Sequence, residues 1–187
     1  MRLFVAIDLD DVAKQAIAAE QKRLGGRFGR TDRTLRWVGP AQIHLTLLFI
    51  GEVGAARGAT IVDAMGEGLA APRFVVGFGR IGMFPPRGAP SVLWLGVTAG
   101  AQEAVAVQRL VATRLEPLGV PRDPRPYHPH LTLARWRSAR PADRALLTRA
   151  DAGVEVARVD VDRVVLYQSH LSSSGPSYAA LATAALQ

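Results

Sequence analysis

The sequence predicts an α+β protein of two similar lobes, with mainly antiparallel sheets lining a central cleft and helices outside. Three observations lead there. The tetrapeptide His-Leu-Thr-Leu occurs twice, at residues 44–47 and 130–133. Each copy lies in alternating apolar surroundings that read as β-strand. Helical and extended segments follow in a similar order around each copy, with several strands adjacent. That is the pattern of an internal duplication whose period is too long for a solenoid.

Taken in order, residues 2–9 read as a strand buried on both faces, because their apolar run is nearly continuous. Asp10 or Asp11 caps a helix to about Leu24, with Ala13, Ile17, Ala18 and Leu24 on its apolar face and Gly25-Gly26 ending it. A basic loop covers 27–34. Leu35 to Val38 is a short strand, Gly39-Pro40 turns the chain, and 42–50 is the first motif strand, closed by Gly51. Residues 55–70 are predicted helical, with Ile61, Val62, Met65 and Leu69 on one side. Residues 73–83 form a strand or bent hairpin. The prolines of 84–90 exclude regular structure there. Ser91 to Thr98 is a strand, and 101–118 a helix with Val105, Leu110, Val111 and Leu115 inward. A proline-rich connection, 120–129, leads to the second motif strand, 130 to about 136. A helix over 142–150, strands over 154–157 and 161–167, a Ser/Gly turn at 172–176 and a last strand near 178–182 complete the chain. All 187 residues are read as a single bilobal domain.

Lysine and arginine number 23 against 16 acidic residues, a net charge of +7. All but Lys14 and Lys22 of the basic residues are arginine. They cluster as Arg27, Arg30, Arg33 and Arg36, then as Arg122, Arg125, Arg135 and Arg137. This balance favours an anionic partner, nucleic acid first. The absence of cysteine excludes disulfides, a thiolate metal site and a cysteine nucleophile. No apolar run is long enough for a membrane span. The N-terminal apolar stretch is short and turns acidic, which suits a strand better than a signal peptide. A cytoplasmic monomer is the expectation.

In a strand, side chains i and i+2 share a face. His44 and Thr46 therefore point one way and Leu45 and Leu47 the other; His130 and Thr132 oppose Leu131 and Leu133 in the same manner. The leucines suit a core. Two imidazoles and two hydroxyls suit acid–base chemistry at a phosphate ester. Near neutral pH one imidazole can be neutral and the other protonated. One removes a proton from water, the other gives one to the leaving oxygen. The threonine hydroxyls hold non-bridging oxygens. Arg135 stands at an odd offset from His130, so simple alternation puts it on the opposite face unless a twist or bulge brings it round. There its charge would stabilise an anionic transition state. No metal or other cofactor enters this scheme. A metal site built on His128, His130 and His170 is the alternative; it lacks carboxylates beyond Glu52 and Asp123 and leaves the first motif unexplained. His128 and His170 are otherwise read as a strand start and a loop residue. Trp37, Trp94 and Trp136 are read as packing. Phe84, beside Arg87 at a loop edge, is the candidate for stacking on a nucleobase.

The paired motifs resemble those of the 2H phosphoesterase superfamily. The flanking pieces are similar to the bacterial and archaeal RNA 2′,3′-cyclic phosphodiesterases, historically called 2′-5′ RNA ligases. Those pieces are Arg2 to Ile7, Trp37-Val38, Phe49 to Glu52, Leu93 to Val97, Pro129 to Arg135, Leu166 to Ser169, Leu171 and Gly175 to Tyr178. The resemblance implies a bilobal fold with pseudo-two-fold symmetry and a basic cleft. It implies metal-independent hydrolysis of a 2′,3′-cyclic phosphate at an RNA end, tRNA-like fragments included, to a 2′-phosphate. His44 would be the proton donor to the departing 3′ oxygen and His130 the proton acceptor. Thr46, Thr132 and Arg135 would hold the phosphate. The reverse reaction would be 2′-5′ ligation. A hydrolase of small nucleoside cyclic phosphates or oligoadenylates, and a non-catalytic module that binds RNA ends, are the other readings.

Overall fold

The computed structural model describes residues 1–28, 34–146, 155–172 and 175–187. Its strands are β1 (Arg2–Asp8), β2 (Leu35–Trp37), β3 (His44–Glu52), β4 (Phe74–Phe84), β5 (Val92–Ala99), β6 (His130–Trp136), β7 (Ala157–Val161), β8 (Arg163–Ser172) and β9 (Gly175–Ala185). Its helices are α1 (Asp11–Phe28), α2 (Ala55–Gly66) and α3 (Ala101–Leu115). Short 3₁₀ turns lie at Pro40–Gln42, Glu116–Leu118 and Pro141–Leu146.

The strand order is β7-β4-β5-β6-β3-β1-β8-β9, with β2 added on β6. Neighbouring strands are antiparallel. The two expected sheets are the two halves of this order, and they meet where the motif strands touch. That contact is one register pair, Leu45 with Leu131. Beyond it β3 leaves the edge of β6, and β2 takes its place opposite residues 134–136. The halves are interleaved in the chain. One is built from β3, β1, β8 and β9, the other from β4 to β7.

A single apolar core lies on one face of the sheet. Leu3, Val5 and Ile7 of β1, Leu45 and Leu47 of β3, and Leu131 and Leu133 of β6 are all buried in it. The helices close that face with Ala13, Ile17 and Leu24 of α1, Ile61 and Met65 of α2, and Ala104, Val107, Val111 and Leu115 of α3. The other face of the sheet carries the polar motif residues.

Several boundaries differ from expectation. α1 runs past Gly25-Gly26 to Phe28. A Cβ on Gly25 would lie 3.6 Å from the Trp37 ring, an ordinary contact, so the helix passes through both glycines and neither ends it. α2 ends at Gly66, and α3 buries Ala104 and Val107 in place of Val105 and Leu110. Small alanines face the sheet there, and Leu110 stays 37% exposed. β8 and β9 are longer than predicted because they pair with each other from Arg163↔Ala185 to Ser172↔Gly175. The strand expected at 154–157 is β7, at Ala157–Val161. The helix expected at 142–150 is the Pro141–Leu146 3₁₀ turn as far as it falls within the described residues; 147–150, the loop residues 29–33 and the turn residues 173–174 fall outside them.

Two polar side chains, the buried Gln21 and the half-buried Tyr127, tie these parts together. The Gln21 amide of α1 donates to the Val38 and Leu133 carbonyls, both at 2.9 Å. The Tyr127 hydroxyl, ahead of the second motif, donates to the Thr46 carbonyl of the first at 2.7 Å. Gln21→Leu keeps the volume but strips the Val38 carbonyl of its donor. We expect a loss of about 1–3 kcal/mol, read from urea denaturation midpoints.

Candidate active site

The site follows from the Leu45–Leu131 pair. Residues directly opposite in an antiparallel ladder point to the same face. Both leucines are fully buried toward the helices. His44, Thr46, His130 and Thr132 therefore emerge together on the other face, and all four are half-buried. Extending the antiparallel run one residue each way sets His44 toward Thr132 and Thr46 toward His130. The two threonine hydroxyls hydrogen-bond to no described residue, so both remain available to a ligand.

Each motif strand bulges just past its threonine. On β3, Thr46 faces Ala6 and Leu48 faces Val5, so Leu47 is an extra residue. On β6, Thr132 faces Trp94 and Ala134 faces Leu93, so Leu133 is extra. A bulge shifts the side-chain phase by one. Two consecutive buried residues mark it in both strands, Leu47-Leu48 and Leu133-Ala134. The next residues, Phe49 and Arg135, then return to the motif face. Arg135 is exposed between buried Ala134 and Trp136, which supplies the displacement that simple alternation lacked. Its counterpart in the first motif is an aromatic ring, Phe49, 68% exposed.

Both imidazoles are held from behind in the same way. His130 Nδ1 lies 2.7 Å from the His128 carbonyl. His44 bonds the Gln42 carbonyl, again two residues upstream. A carbonyl accepts only from an N–H, so this contact sets the tautomer and leaves the other ring nitrogen to face the site. Gln42 is itself fixed, since its side-chain amide donates to the Pro176 carbonyl at the start of β9.

The electrostatics of the two histidines differ. Burial lowers both pKa values below the ordinary imidazole value. For His44, Asp8 opposes that effect. Asp8 is its register partner on β1, and it also accepts a hydrogen bond from the Tyr167 hydroxyl. For His130, the neighbouring His128 and Arg135 push the pKa further down. One imidazole has a carboxylate, Asp8, to favour its charged form, and the other has the Arg135 guanidinium to favour its neutral form.

Aromatic rings wall both sides. His44 stacks on Phe4 with ring centres 4.8 Å apart and meets the Tyr178 ring edge-on at 5.3 Å. His130 meets Phe84 edge-on at 5.1 Å and Trp94 at 6.1 Å. The Trp94 indole lies where a Cβ on Gly82 would come within 2.1 Å of it, so that glycine makes its place. Trp94, expected only as sheet packing, thus lines the site. Phe84, the expected stacking residue, stands in the site with its ring against His130, Trp94 and His128. Trp136 packs in the core.

The histidines of the metal alternative do not converge. His170 sits on β8 opposite Ser177. No three metal-ligating side chains gather among the described residues. Asp8, Gln42, Tyr127, Tyr167 and Tyr178 belong to the candidate site, and the motifs alone do not identify them. Asp8 had one available signal, the alternation Arg2, Phe4, Ala6, Asp8 along the non-core face of β1. No helix among the described residues is long and apolar enough to cross a membrane.

A family model described as the 2′-5′ RNA ligase superfamily matches residues 5–172. The chain is 34% identical over 178 residues to an Archaeoglobus fulgidus protein named RNA 2′,3′-cyclic phosphodiesterase, covering 95% of this chain and 96% of that one. It is 37% identical over 164 residues to an Aeropyrum pernix protein of the same name, covering 85% and 90%. Its fold is similar to a crystal structure from Thermus thermophilus, with a TM-score of 0.75 at 25% identity over 99% and 97% of the two chains. It is also similar to E. coli LigT complexed with 3′-AMP, with a TM-score of 0.76 at 24% identity over 100% and 98%, a likeness of fold.

The asymmetry between the histidines is testable by NMR titration of the imidazole resonances. Both are expected to titrate below 6.5. Asp8→Asn removes the charge that favours the His44 imidazolium, so the His44 midpoint falls further while that of His130 holds. A rise of the His44 midpoint in that variant would contradict the arrangement.

Proposed function

The chain belongs to the 2′-5′ RNA ligase superfamily, and from that premise we propose that it hydrolyses the 2′,3′-cyclic phosphate at the end of an RNA to a 2′-phosphate. The observation that supports this most is the opposite electrostatic bias of two His-x-Thr pairs on one sheet face. The name shared by its relatives from Archaeoglobus fulgidus and Aeropyrum pernix agrees with it.

In this reading His130 is neutral and takes a proton from water as the water oxygen attacks phosphorus. The bond from phosphorus to O3′ breaks, and His44, protonated, gives its proton to O3′. Thr46, Thr132 and Arg135 hold the non-bridging oxygens, where negative charge grows. The products are a 2′-phosphate and a free 3′-hydroxyl. An RNA 5′-hydroxyl in place of water gives a 2′-5′ linkage by the same proton movements. The two histidines carry all the proton transfers, so the scheme uses no metal. Both come from one chain, so one bilobal monomer makes a whole site. In this reading the protein works in the cytoplasm on RNA ends, tRNA-like fragments among them.

The test is an RNA oligonucleotide ending in a 2′,3′-cyclic phosphate, incubated with the protein and EDTA, with the phosphate position read in the product. Wild type is expected to yield the 2′-phosphate. His44→Ala and His130→Ala should each lower kcat by about 10²–10⁴-fold, with little change in KM. Bound RNA left intact by wild type would favour the binding module. Turnover of nucleoside cyclic phosphates or oligoadenylates alone would favour the small-substrate reading.

The pH profile follows from the roles. Activity is lost as pH falls through the His130 pKa, because the base becomes protonated. It is lost as pH rises through the His44 pKa, because the acid loses its proton. Burial lowers both, so the bell of kcat/KM lies to the acid side of that for two unperturbed imidazoles. Asp8→Asn should move the alkaline limb further toward acid. A flat profile through the neutral range would sink the two-histidine scheme.

A further inference from the structure

We propose that Arg36 is a second phosphate-binding residue, gripping the phosphodiester one nucleotide inward from the RNA end, so that the protein prefers oligonucleotides to nucleoside cyclic phosphates. This rests on the proposed hydrolysis of an RNA end.

The argument starts from register. Arg36 of β2 is the direct cross-strand partner of Arg135 of β6. Direct partners share a face, and the bulge at Leu133 has already turned Arg135 onto the motif face. Arg36 therefore emerges there too, one strand farther along. Both are exposed. Their neighbours on either side, Leu35 opposite Trp136, are buried and fix the phase.

Two guanidinium groups placed opposite each other repel, and the pairing costs stability unless an anion lies between them. None is supplied by the described residues. Neither side chain is hydrogen-bonded or ion-paired to a described residue. Other arginines are committed elsewhere. Arg122, Arg125 and Arg158 pair with carboxylates, and Arg57, Arg114 and Arg144 donate to backbone carbonyls.

The base that carries Arg36 is also built firmly. β2 spans only Leu35–Trp37. It is nevertheless held by its ladder to β6, by the Val38 N–H donating to the Leu133 carbonyl, and by the buried Gln21 amide reaching both Val38 and Leu133. A short strand pinned so thoroughly presents its one exposed cation at a set place. If Arg135 contacts the cyclic phosphate, Arg36 lies beyond it on the same face, where the next phosphate of a polynucleotide can reach. A mononucleotide has nothing to put there.

The experiment compares kcat/KM for a trinucleotide ending in a 2′,3′-cyclic phosphate with that for a nucleoside 2′,3′-cyclic monophosphate. Wild type should favour the trinucleotide, and in Arg36→Ala that selectivity ratio should fall about tenfold, as for loss of one charge-assisted contact. Binding of a single-stranded RNA bearing a 2′-phosphate end is measured alongside. Its dependence of log affinity on log salt should be shallower by about 0.7 in Arg36→Ala and near wild type in Arg36→Lys. The thermal midpoint of Arg36→Ala should be at or above that of wild type, since a repulsion is relieved; a lower midpoint would point to a structural role. An unchanged selectivity ratio together with an unchanged salt slope overturns the second phosphate site. A wild type that turns over neither substrate overturns the proposed hydrolysis instead, and the salt slope alone then decides for or against Arg36.

Discussion

Leu45 and Leu131 face each other across the seam of the sheet, and their pairing sets the positions of the motif residues. Both are driven inward by the ordinary burial of an apolar side chain, on the order of 1.5–3 kcal/mol each. Because strand side chains alternate, sending the leucines to the core sends the histidines and threonines to the opposite face. The chemistry is therefore specified by a hydrophobic requirement. A register slip of one residue would bury the polar pairs and expose the leucines. Tyr127 adds a second tie across the seam through the Thr46 carbonyl.

The bulges are alike, and the residues they turn inward make the two halves chemically unequal. Each adds one residue at the same point after the threonine and turns the residue five beyond the histidine back toward the cleft. In one half that residue is an arginine, in the other a phenylalanine. The same inequality appears around the rings, where a carboxylate serves His44 and the Arg135 guanidinium serves His130. A duplicated frame thus carries different side chains at equivalent places. That difference is what an acid and a base require of two identical groups.

Much of this was legible in the chain, and the limits are physical. The motif strands, the inward leucines and the α+β class follow from alternation, which reports burial directly. The bulges did not follow, because Leu47-Leu48 and Leu133-Ala134 are merely two apolar residues in succession until a partner strand shows one of them unpaired. For the same reason alternation alone leaves the face of Arg135 open. Asp8 was hidden for a different reason. Its meaning lies in its register with His44 and its bond from Tyr167, and neither pairing is local. The inward face of α3 was misjudged because small alanines, with little hydrophobic weight, are what close packing on the sheet selected. The prolines that follow Phe84 mark it as a loop edge, but β4 extends to it and brings its ring to His130.

The interleaving of the halves has a consequence for how the protein comes into being. The strands β4 to β7 are contiguous in the chain and can pair as soon as they leave the ribosome. The half that bears His44 cannot. Its β1 and β3 wait for β8 and β9, and the bond that joins Asp8 to Tyr167 spans 159 positions of sequence. Closing so long a loop is entropically costly and slow. The nascent chain therefore holds the half that carries His130 before it holds the half that carries His44, and the latter acquires its outer strands only when the last strand is in place.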